Sequence, residues 1–349
     1  MFERYRTVAV RDLPDPHPAP GEAVLHVRYC GICGSDLSLF KTGIMSGPDT
    51  VLGHEISATL GDDVDRWRAG DRVVPWPARG CGECEWCRRG KVRWCLAPLN
   101  RYGGFAERVV YPADNLVPVP DEVDDRTAAL AEPLAVAGRA ARLAEIGPED
   151  VVYVSGLGSI GLLAACAALD RGARVVGGDP RPDRRRLATG LGVEDAFDPT
   201  AEDPFWKMFA YDALGPRVSL ECSGVPEALQ LAINTARHGG TIGILGIPFE
   251  PTPIIPAVLA VKEQRTFSIS GPEIEDIRAS LDLLARRPEI GRVATSVVPL
   301  SGTGEAMRRL ADGEGSDVKI LVAPDFAPTK GPGSGGPTGW PQGSRDPAG

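Results

Sequence analysis

Two groups of metal-ligand residues lie in the first third of the chain. The downstream group is a C-x2-C-x2-C-x7-C run made by Cys81, Cys84, Cys87 and Cys95. The upstream group combines Cys33 with the adjacent pair His54 and Glu55. A closed set of four thiolates is typical of structural zinc, whereas an incomplete set of sulfur, nitrogen and oxygen ligands leaves a coordination position for chemistry. The sequence therefore predicts one metal that holds a lobe together and a second that takes part in a reaction.

The four-cysteine run is interpreted as a structural zinc lobe over residues 81–95. Polar residues and glycines, among them Gly82, Glu83 and Arg88, separate the cysteines, so this segment cannot bury them in an apolar core. In small zinc modules, metal binding contributes on the order of 10–16 kcal/mol to folding. An iron–sulfur cluster held by the same four thiolates is the alternative.

The residues around the upstream group indicate a reactive centre. Asp36 can orient a metal-bound imidazole, and Ser35 is placed to take the proton of an alcohol at the metal. Glu132, in the segment AEPLAV, is a candidate fourth ligand, or else a carboxylate that favours the N-terminus of its own helix. Cys30 and Cys33 also form a C-x-x-C pair, so a redox pair is a second interpretation of Cys33.

A glycine-rich turn predicts a binding site for a dinucleotide. Residues 156–161, GLGSIG, fit G-x-G-x-x-G, follow a predicted strand and begin a predicted helix. Gly156 permits the tight turn, Gly158 lets the backbone approach a pyrophosphate, and Gly161 permits close packing of helix on strand. Free N–H groups at the helix N-terminus would bind the phosphates. The alternative is an ordinary glycine-rich turn between a strand and a helix.

Asp179 ends the next predicted strand, 18 residues after Gly161, and decides which dinucleotide is favoured. A carboxylate there accepts hydrogen bonds from the ribose hydroxyls and repels a 2′-phosphate. Arg181 and Arg184 lie close enough in sequence to pair with such a phosphate, and Arg184 can instead pack on the adenine or ribose. NAD is therefore favoured, and NADP is the alternative.

Hydrophobic patterning predicts an α/β protein with two domains. Residues 1–134 contain short apolar or alternating runs separated by glycine and proline turns, which is typical of strands. From residue 151 strands and helices alternate, which predicts a doubly wound parallel sheet. Residues 271–324 either extend that sheet or return to the first domain. Residues 325–349 are rich in Gly, Pro and Ser, and we expect them to be disordered.

Composition and charge exclude several classes of protein. The net charge of −9 argues against nucleic acid as a partner. No segment approaches the roughly 20 apolar residues of a membrane span, and the N-terminus has no signal pattern. We therefore expect a cytoplasmic protein that binds no membrane, in which eight cysteines are not a disulfide framework.

These motifs resemble the zinc-dependent medium-chain dehydrogenase/reductase family, of alcohol, sorbitol and threonine dehydrogenases, and its polyol and threonine branches in particular. The segments that carry the resemblance occur in the family's order: CGICGSD at 30–36, GHE at 53–55, the four-cysteine lobe, AEPLAV at 131–136 and GLGSIG at 156–161. The resemblance covers about residues 20–324.

The resemblance implies a GroES-like catalytic domain that is interrupted by a Rossmann dinucleotide domain. We therefore expect residues 1–134 and 271–324 in the catalytic domain, and residues 135–270 in the dinucleotide domain. A homodimer or homotetramer is also expected.

By the same resemblance, Cys33, His54 and Glu55 bind a catalytic zinc, and Glu132 or water completes its shell. The family's cofactor contacts correspond to Ile160, Asp179, Arg184, Leu245, Gly246 and Ile247. Many relatives have a relay histidine five residues after the catalytic cysteine, where this chain has Ser38. The proton would then leave through Ser35, the cofactor ribose, Ser38 or water.

The predicted reaction is the reversible oxidation of a secondary alcohol to a ketone, with two zinc ions per chain and NAD as the hydride acceptor. Zinc would act as a Lewis acid. The expected substrates are polyols, sugars and aminocyclitol or aminoglycoside types, the last because residues 33–40, CGSDLSLF, resemble dehydrogenases of aminocyclitol antibiotic biosynthesis. The alternatives are a threonine or simple secondary-alcohol dehydrogenase, a zinc-free quinone or enoyl reductase, and a non-catalytic NAD-binding protein.

Overall fold

The computed structural model describes residues 1–4, 6–43, 50–98, 102–247 and 251–324. Its strands are β1 (Phe2–Arg4), β2 (Thr7–Val8), β3 (Glu22–Gly31), β4 (Glu55–Leu60), β5 (Arg72–Pro75), β6 (Arg108–Pro112), β7 (Leu116–Pro118), β8 (Val151–Ser155), β9 (Arg174–Gly178), β10 (Asp195–Phe197), β11 (Val218–Glu221), β12 (Thr241–Ile244), β13 (Arg265–Ser268), β14 (Ala294–Pro299) and β15 (Lys319–Ala323). Its helices are α1 (Gly34–Thr42), α2 (Glu85–Arg88), α3 (Asp125–Ala128), α4 (Ala131–Leu143), α5 (Ser159–Asp170), α6 (Pro182–Gly190), α7 (Pro204–Met208), α8 (Pro226–Thr235), α9 (Pro256–Val261), α10 (Ile274–Arg286) and α11 (Thr303–Asp312). The predicted disorder of residues 325–349 concerns a segment outside the described residues.

A seven-stranded sheet built around β3 carries the upstream metal-ligand residues. Its strand order is β14-β15-β3-β4-β5-β7, and β6 also pairs with β3. Along β3, buried Ala23, Leu25 and Val27 alternate with less buried residues, as the period of two in a strand with one covered face requires. Because β14 and β15 join this sheet, residues 294–323 return to the sheet formed by residues 22–118.

A six-stranded parallel sheet forms the other half of the molecule. Its order is β10-β9-β8-β11-β12-β13. The central strand β8 is buried along its whole length, as expected for a strand covered on both faces. The strand order reverses between β8 and β11, and such a switch point forms the crevice in which dinucleotides bind. The predicted α/β fold with a doubly wound parallel sheet is confirmed.

Helix α4 lies between the two sheets in the chain, and it also contacts β4 of the seven-stranded sheet. It packs against α5 and α10, and buried alanines such as Ala137 and Ala141 permit a close approach. Helix α10, which the predicted boundary at residue 271 assigns to the first domain, packs on α4 and contributes Leu281 and Leu284 to the same core. The domain boundaries themselves stay predictions.

Among the helices in the described ranges, none combines the length and the apolar character that crossing a membrane requires.

Candidate active site and cofactor site

Cys33 lies between the end of β3 and the start of α1, at the N-cap position of the helix. Asp36 accepts a hydrogen bond from the backbone N–H of Cys33 at 3.0 Å, which forms one half of a capping box. The local sequence C-G-S-D thus ends the strand, begins the helix and fixes the backbone of the cysteine. These local contacts hold the Cys33 sulfur at a defined position beyond the C-terminal end of β3.

His54 and Glu55 lie at the same end of the sheet as Cys33, because Glu55 is the first residue of β4 and pairs with Gly31 at the end of β3. Gly53 precedes them with a φ of +93°, and a Cβ at this position would lie 2.8 Å from the Cys30 sulfur. Only glycine fits this turn. One ligand atom each of Cys33, His54 and Glu55 lies within 4.8 Å of the others.

Asp36 interacts with the segments that carry these ligand residues. It is 2% exposed, accepts from the Gly53 N–H at 3.4 Å, and has a carboxylate oxygen 3.8 Å from His54 Nδ1. Burial raises the pKa of Asp36 even though the nearby His54 opposes the shift. Burial lowers the pKa of His54, but the charges of Asp36 and Cys33 outweigh burial and raise it well above its usual value. A metal competes with this proton for the imidazole nitrogen, so the fit to zinc rests on the donor set itself, which is one sulfur, one imidazole nitrogen and one carboxylate oxygen.

Glu55 has a second partner that sequence reasoning missed. Both of its carboxylate oxygens lie 2.7 Å from Lys319 Nζ, and both side chains are almost fully buried. Lys319 also donates to the Ile32 carbonyl at 2.9 Å. Burial lowers the pKa of Lys319, but the neighbouring charge of Glu55 outweighs this and raises it. Glu55 therefore lies between a cation of this chain and the Cys33–His54 pair.

Glu132 lies in the first turn of α4 and is 6% exposed. Burial raises its pKa to about 7, while the charges of His54 and Lys319 oppose this. In the described part of the chain, the group whose ligand atoms all lie within 4.8 Å of one another contains Cys33, His54 and Glu55 without Glu132. The role of Glu132 as a fourth ligand stays a prediction.

Four neighbours bear on the predicted proton path and on the redox alternative. Ser35 is exposed in the first turn of α1, and Ser38 lies half-buried one turn later. Tyr102, which no sequence motif singled out, packs edge-on against the His54 ring with centroids 5.5 Å apart. Cys30 is fully buried, and burial raises its pKa well above its usual value, which disfavours a redox-active thiolate there.

The four-cysteine run folds into a compact lobe around α2. Its sulfur atoms all lie within 4.8 Å of one another, and those of Cys84 and Cys95 are 3.9 Å apart. In a tetrahedral thiolate site with Zn–S bonds of about 2.3 Å, neighbouring sulfur atoms lie about 3.8 Å apart. The geometry of these four side chains therefore fits zinc.

Backbone N–H groups in the lobe already stabilise negative charge on sulfur. The Cys81 N–H donates to the Cys95 sulfur at 3.2 Å, and the Cys84 N–H donates to the Cys81 sulfur at 3.4 Å. Hydrogen bonds from the N–H groups of Cys87 and Leu96 lower the pKa of Cys84 to about 6. Burial acts in the opposite direction on Cys87 and raises its pKa to about 12. A cation at the centre would favour the thiolate form of all four.

The glycine-rich turn lies at the switch point of the parallel sheet. Gly156 has a φ of +89°, and a Cβ there would lie 2.7 Å from the Ser223 side chain. A Cβ on Gly161 would lie 1.8 Å from the Gly156 carbonyl oxygen, so α5 packs against the turn at a distance that only glycine permits. At Gly158, the N-cap of α5, the nearest atom to an added Cβ is Arg184 Nη1 at 3.9 Å. Space for a phosphate therefore remains above the helix N-terminus.

Asp179 follows β9 and is 2% exposed. Its carboxylate accepts from the backbone N–H groups of Leu157 at 2.8 Å and Arg181 at 2.9 Å. Arg184 Nη1 lies 3.3 Å from the same carboxylate, and Arg184 Nε is buried without a hydrogen-bond partner among the described residues. Arg181 instead pairs with Asp183 at 2.8 Å.

The remaining predicted cofactor residues lie near this crevice. Ile160 is half-buried in the first turn of α5. After β12, Leu245 and Gly246 are buried, whereas Ile247 is 63% exposed. Glu221, which sequence reasoning missed, ends β11 with 1% exposure and accepts from the Ser223 N–H at 2.7 Å.

Comparison with known proteins gives two family matches. The family model described as "Alcohol dehydrogenase GroES-like domain" matches residues 19–121, and the model described as "Zinc-binding dehydrogenase" matches residues 159–286. The predicted GroES-like and Rossmann architecture is therefore confirmed.

Individual proteins agree with the family matches. The L-threonine 3-dehydrogenase of Rhizobium etli is 35% identical over 251 residues, which covers 68% of this chain and 72% of the relative. The sorbitol dehydrogenase of Halalkalibacterium halodurans is 30% identical over 332 residues, covering 90% and 95%. The crystal structure of 2R,3R-butanediol dehydrogenase from Bacillus subtilis is 28% identical with a TM-score of 0.84, covering 93% and 98%.

The spacing of its cysteines, its two sheets and these relatives agree, and the chain belongs to the zinc-dependent alcohol dehydrogenase family, the medium-chain dehydrogenases/reductases, as an NAD(P)-dependent alcohol oxidoreductase.

Proposed function

We propose that this enzyme interconverts a secondary alcohol and a ketone on a polyol, a sugar or an aminocyclitol-type substrate, with Cys33, His54 and Glu55 as the catalytic metal site. The convergence of these three residues within 4.8 Å is the observation that carries the proposal. When bound, zinc supplies a Lewis acid to the substrate oxygen and the dinucleotide supplies the hydride acceptor.

The side chains around the metal site hold its ligands and move the proton. Asp36 fixes the Cys33 backbone through a hydrogen bond, and its carboxylate lies 3.8 Å from His54 Nδ1, where its charge acts on the imidazole. Ser35 is exposed two residues from Cys33, and it can accept the hydroxyl proton and pass it to water. Ser38 and water offer the continuation of this path in place of the histidine found in many relatives.

Lys319 and Glu132 set the charge around the site. Lys319 pairs with Glu55 and so limits the freedom of its carboxylate to approach a metal. Burial raises the pKa of Glu132 to about 7, so without a metal beside it this carboxyl can hold a proton near neutral pH and release it. Glu132 is therefore proposed either as a fourth ligand or as a group that exchanges a proton with a water at that position.

We propose NAD as the preferred dinucleotide and two zinc ions per chain. The buried carboxylate of Asp179 supports NAD, because a 2′-phosphate beside it would be repelled. The partnerless Nε of Arg184 keeps NADP as the second candidate, since this guanidinium lies beside the glycine turn. The lobe sulfurs support the second zinc by their spacing.

We propose a homodimer or homotetramer because one edge strand of the parallel sheet is exposed. Strand β13 is the last strand of the parallel sheet, and its residues are mostly exposed. Val261, beside it, is 74% exposed. An unpaired strand edge with apolar neighbours favours pairing with a second copy. Light scattering measures the mass in solution, and a mass equal to that of one chain would contradict this proposal. The cytoplasmic location stays a prediction from sequence.

The reaction is tested by measuring reduction of NAD and NADP with a panel of alcohols. The panel contains sorbitol, butanediol, L-threonine, an inositol and an amino-inositol, each also tested as the ketone with the reduced cofactor. We expect turnover with at least one secondary alcohol, with a higher kcat/KM for NAD. Reduction of quinones or enoyl thioesters without any alcohol oxidation would contradict the proposal.

The relatives named above are dehydrogenases of an amino acid as well as of neutral polyols. Threonine or a simple secondary alcohol is therefore the second candidate substrate class. The panel distinguishes these classes by their relative kcat/KM.

A further inference from the structure

Glu221 is a buried carboxylate at the carboxyl edge of the parallel sheet. It is the last residue of β11, and it pairs in register with Ser155 at the end of β8 and with Ile244 at the end of β12. Ser155 directly precedes the glycine-rich turn, and Leu245 and Gly246 directly follow β12. Glu221 therefore lies between the turn that begins α5 and the strand end that carries predicted cofactor contacts.

Close contacts join Glu221 and the residues after it to both sides of this crevice. A Cβ on Gly156 would lie 2.7 Å from the Ser223 side chain, so the segment touches the glycine-rich turn. On the other side, the Glu221 carbonyl accepts from the N–H groups of Leu245 at 2.8 Å and Gly246 at 2.9 Å. A Cβ on Gly246 would lie 2.5 Å from the Glu221 carboxylate. The carboxylate therefore packs directly against backbone that borders the crevice.

The negative charge of Glu221 is not neutralised by a neighbour. Its side chain is 1% exposed. One carboxylate oxygen accepts from the N–H groups of Ser223 at 2.7 Å and Gly224 at 3.0 Å, and from the Ser223 hydroxyl. These neutral donors stabilise an anion but do not cancel its charge. Within the described ranges, no Lys or Arg nitrogen lies within 4.0 Å of this carboxylate. Because water is excluded from it, its field extends into the crevice with little screening.

The strand order indicates which half of a dinucleotide lies over Glu221. Asp179 follows β9 and is placed to bind the ribose of the adenosine half. The phosphates would lie at the N-terminus of α5, which follows β8. In the sheet order β9-β8-β11-β12, the other half then continues beyond β8 and over the ends of β11 and β12. That half carries the nicotinamide ring.

The nicotinamide ring is a cation when oxidised and neutral when reduced. A fixed anion close to the ring therefore favours the oxidised form. We propose that the charge of Glu221 strengthens binding of the oxidised dinucleotide relative to the reduced one. This inference rests on the proposed function, because it takes the dinucleotide to be the hydride acceptor. By favouring the cationic ring, Glu221 also shifts the equilibrium on the enzyme towards the alcohol.

The test is calorimetric titration of the zinc-loaded enzyme with NAD⁺ and NADH, and with NADP⁺ and NADPH, whose rings differ in charge in the same way. Glu221→Gln removes the charge and keeps the size of the side chain and an oxygen that accepts from the turn. We expect the ratio of Kd for the oxidised form over the reduced form to rise about three- to tenfold, as for loss of one charge one to two strand spacings away. Glu221→Asp keeps the charge and should keep most of the preference.

Two control variants separate charge from structure. Ser223→Ala removes a hydrogen bond to the Glu221 carboxylate but leaves its charge, so any loss of affinity should be equal for the two forms. Glu227→Gln removes a negative charge from the exposed first turn of α8, where water screens it, and its ratio should equal that of wild type. Thermal midpoints show which variants are folded.

An unchanged ratio in Glu221→Gln would overturn the proposal. An equal loss for the two forms would also overturn it, because the carboxylate would then serve only to hold the turn. If Glu221→Gln does not fold, wild type is titrated with benzamide adenine dinucleotide, whose ring has a similar shape but no charge. Wild type should bind NAD⁺ more tightly than this analogue, and equal affinities would overturn the proposal.

These binding measurements do not depend on turnover, so they separate this proposal from the proposed function. A ratio that depends on Glu221, in an enzyme that oxidises no alcohol, supports the charge effect and contradicts the proposed reaction. Oxidation of a secondary alcohol, together with a wild-type ratio in Glu221→Gln, supports the reaction and overturns the role of Glu221.

Discussion

Replacing Glu132 with glutamine should remove a pH-dependent cost from the folded protein. Burial raises the pKa of Glu132 from 4.5 to about 7. Below pH 4.5 both the folded and the unfolded chain hold the proton. Between these pKa values the unfolded chain releases the proton while the folded chain keeps it, so the free energy of unfolding falls as pH rises and the full cost is reached above pH 7.

The size of this effect follows from the two pKa values. At about 1.4 kcal/mol for each unit of difference, the full cost is about 3.5 kcal/mol, and most of it develops between about pH 5 and pH 8. We therefore expect the stabilisation by Glu132→Gln to be larger at pH 8 than at pH 5 by about 2.5 kcal/mol.

The assay is urea denaturation of Cys33→Ser and of Cys33→Ser with Glu132→Gln, at pH 5 and pH 8. The Cys33→Ser background removes a catalytic ligand, and zinc analysis should find only the lobe metal. Glu227→Gln, at an exposed glutamate in the first turn of α8, is the control and should show no such difference between the two pH values. A stabilisation by Glu132→Gln that is equal at pH 5 and pH 8 would refute the reasoning.

Three further predictions concern the lobe and the cofactor site. Cys87→Ser should lower the thermal midpoint, and it should lower the zinc content by about one ion per chain, because three thiolates no longer close the shell. An unchanged midpoint and zinc content would contradict the structural role. Gly161→Ala should weaken NADH binding at least tenfold and lower stability, since its Cβ would lie 1.8 Å from the Gly156 carbonyl; fluorescence titration measures the first effect, and wild-type affinity would show that α5 does not need this close approach. Asp179→Asn should shift the ratio of kcat/KM from NAD towards NADP by about tenfold or more, because it removes the charge that repels a 2′-phosphate; a ratio that does not move would assign the discrimination to other residues.

Local patterns were sufficient wherever the chemistry depends on neighbours in sequence. The cysteine spacing at 81–95 and the GLGSIG turn each lie within one short segment, so their geometry follows from a few backbone angles. The alternation of strands and helices after residue 151 likewise predicted the parallel sheet.

Contacts between distant segments were not predictable from such patterns. Lys319 pairs with Glu55 across 264 residues, and its sequence context, the start of an apolar strand, gives a lysine no evident role. Arg93 likewise donates a hydrogen bond to the Pro272 carbonyl, 179 residues away in the chain. A charged residue within a predicted buried strand, or within a metal lobe, is the only sequence signal for either. The direction of such a side chain depends on packing that a single sequence does not contain.

The most direct test of the catalytic metal site is the zinc content of wild type and Cys33→Ser, measured on the same samples as alcohol-dependent NAD reduction. We expect two zinc ions per chain and turnover in wild type, and one zinc ion, a retained fold and no turnover in Cys33→Ser. A Cys33→Ser enzyme that holds one zinc ion and oxidises the same alcohol at the wild-type rate would contradict the assignment of Cys33, His54 and Glu55 as the reaction centre.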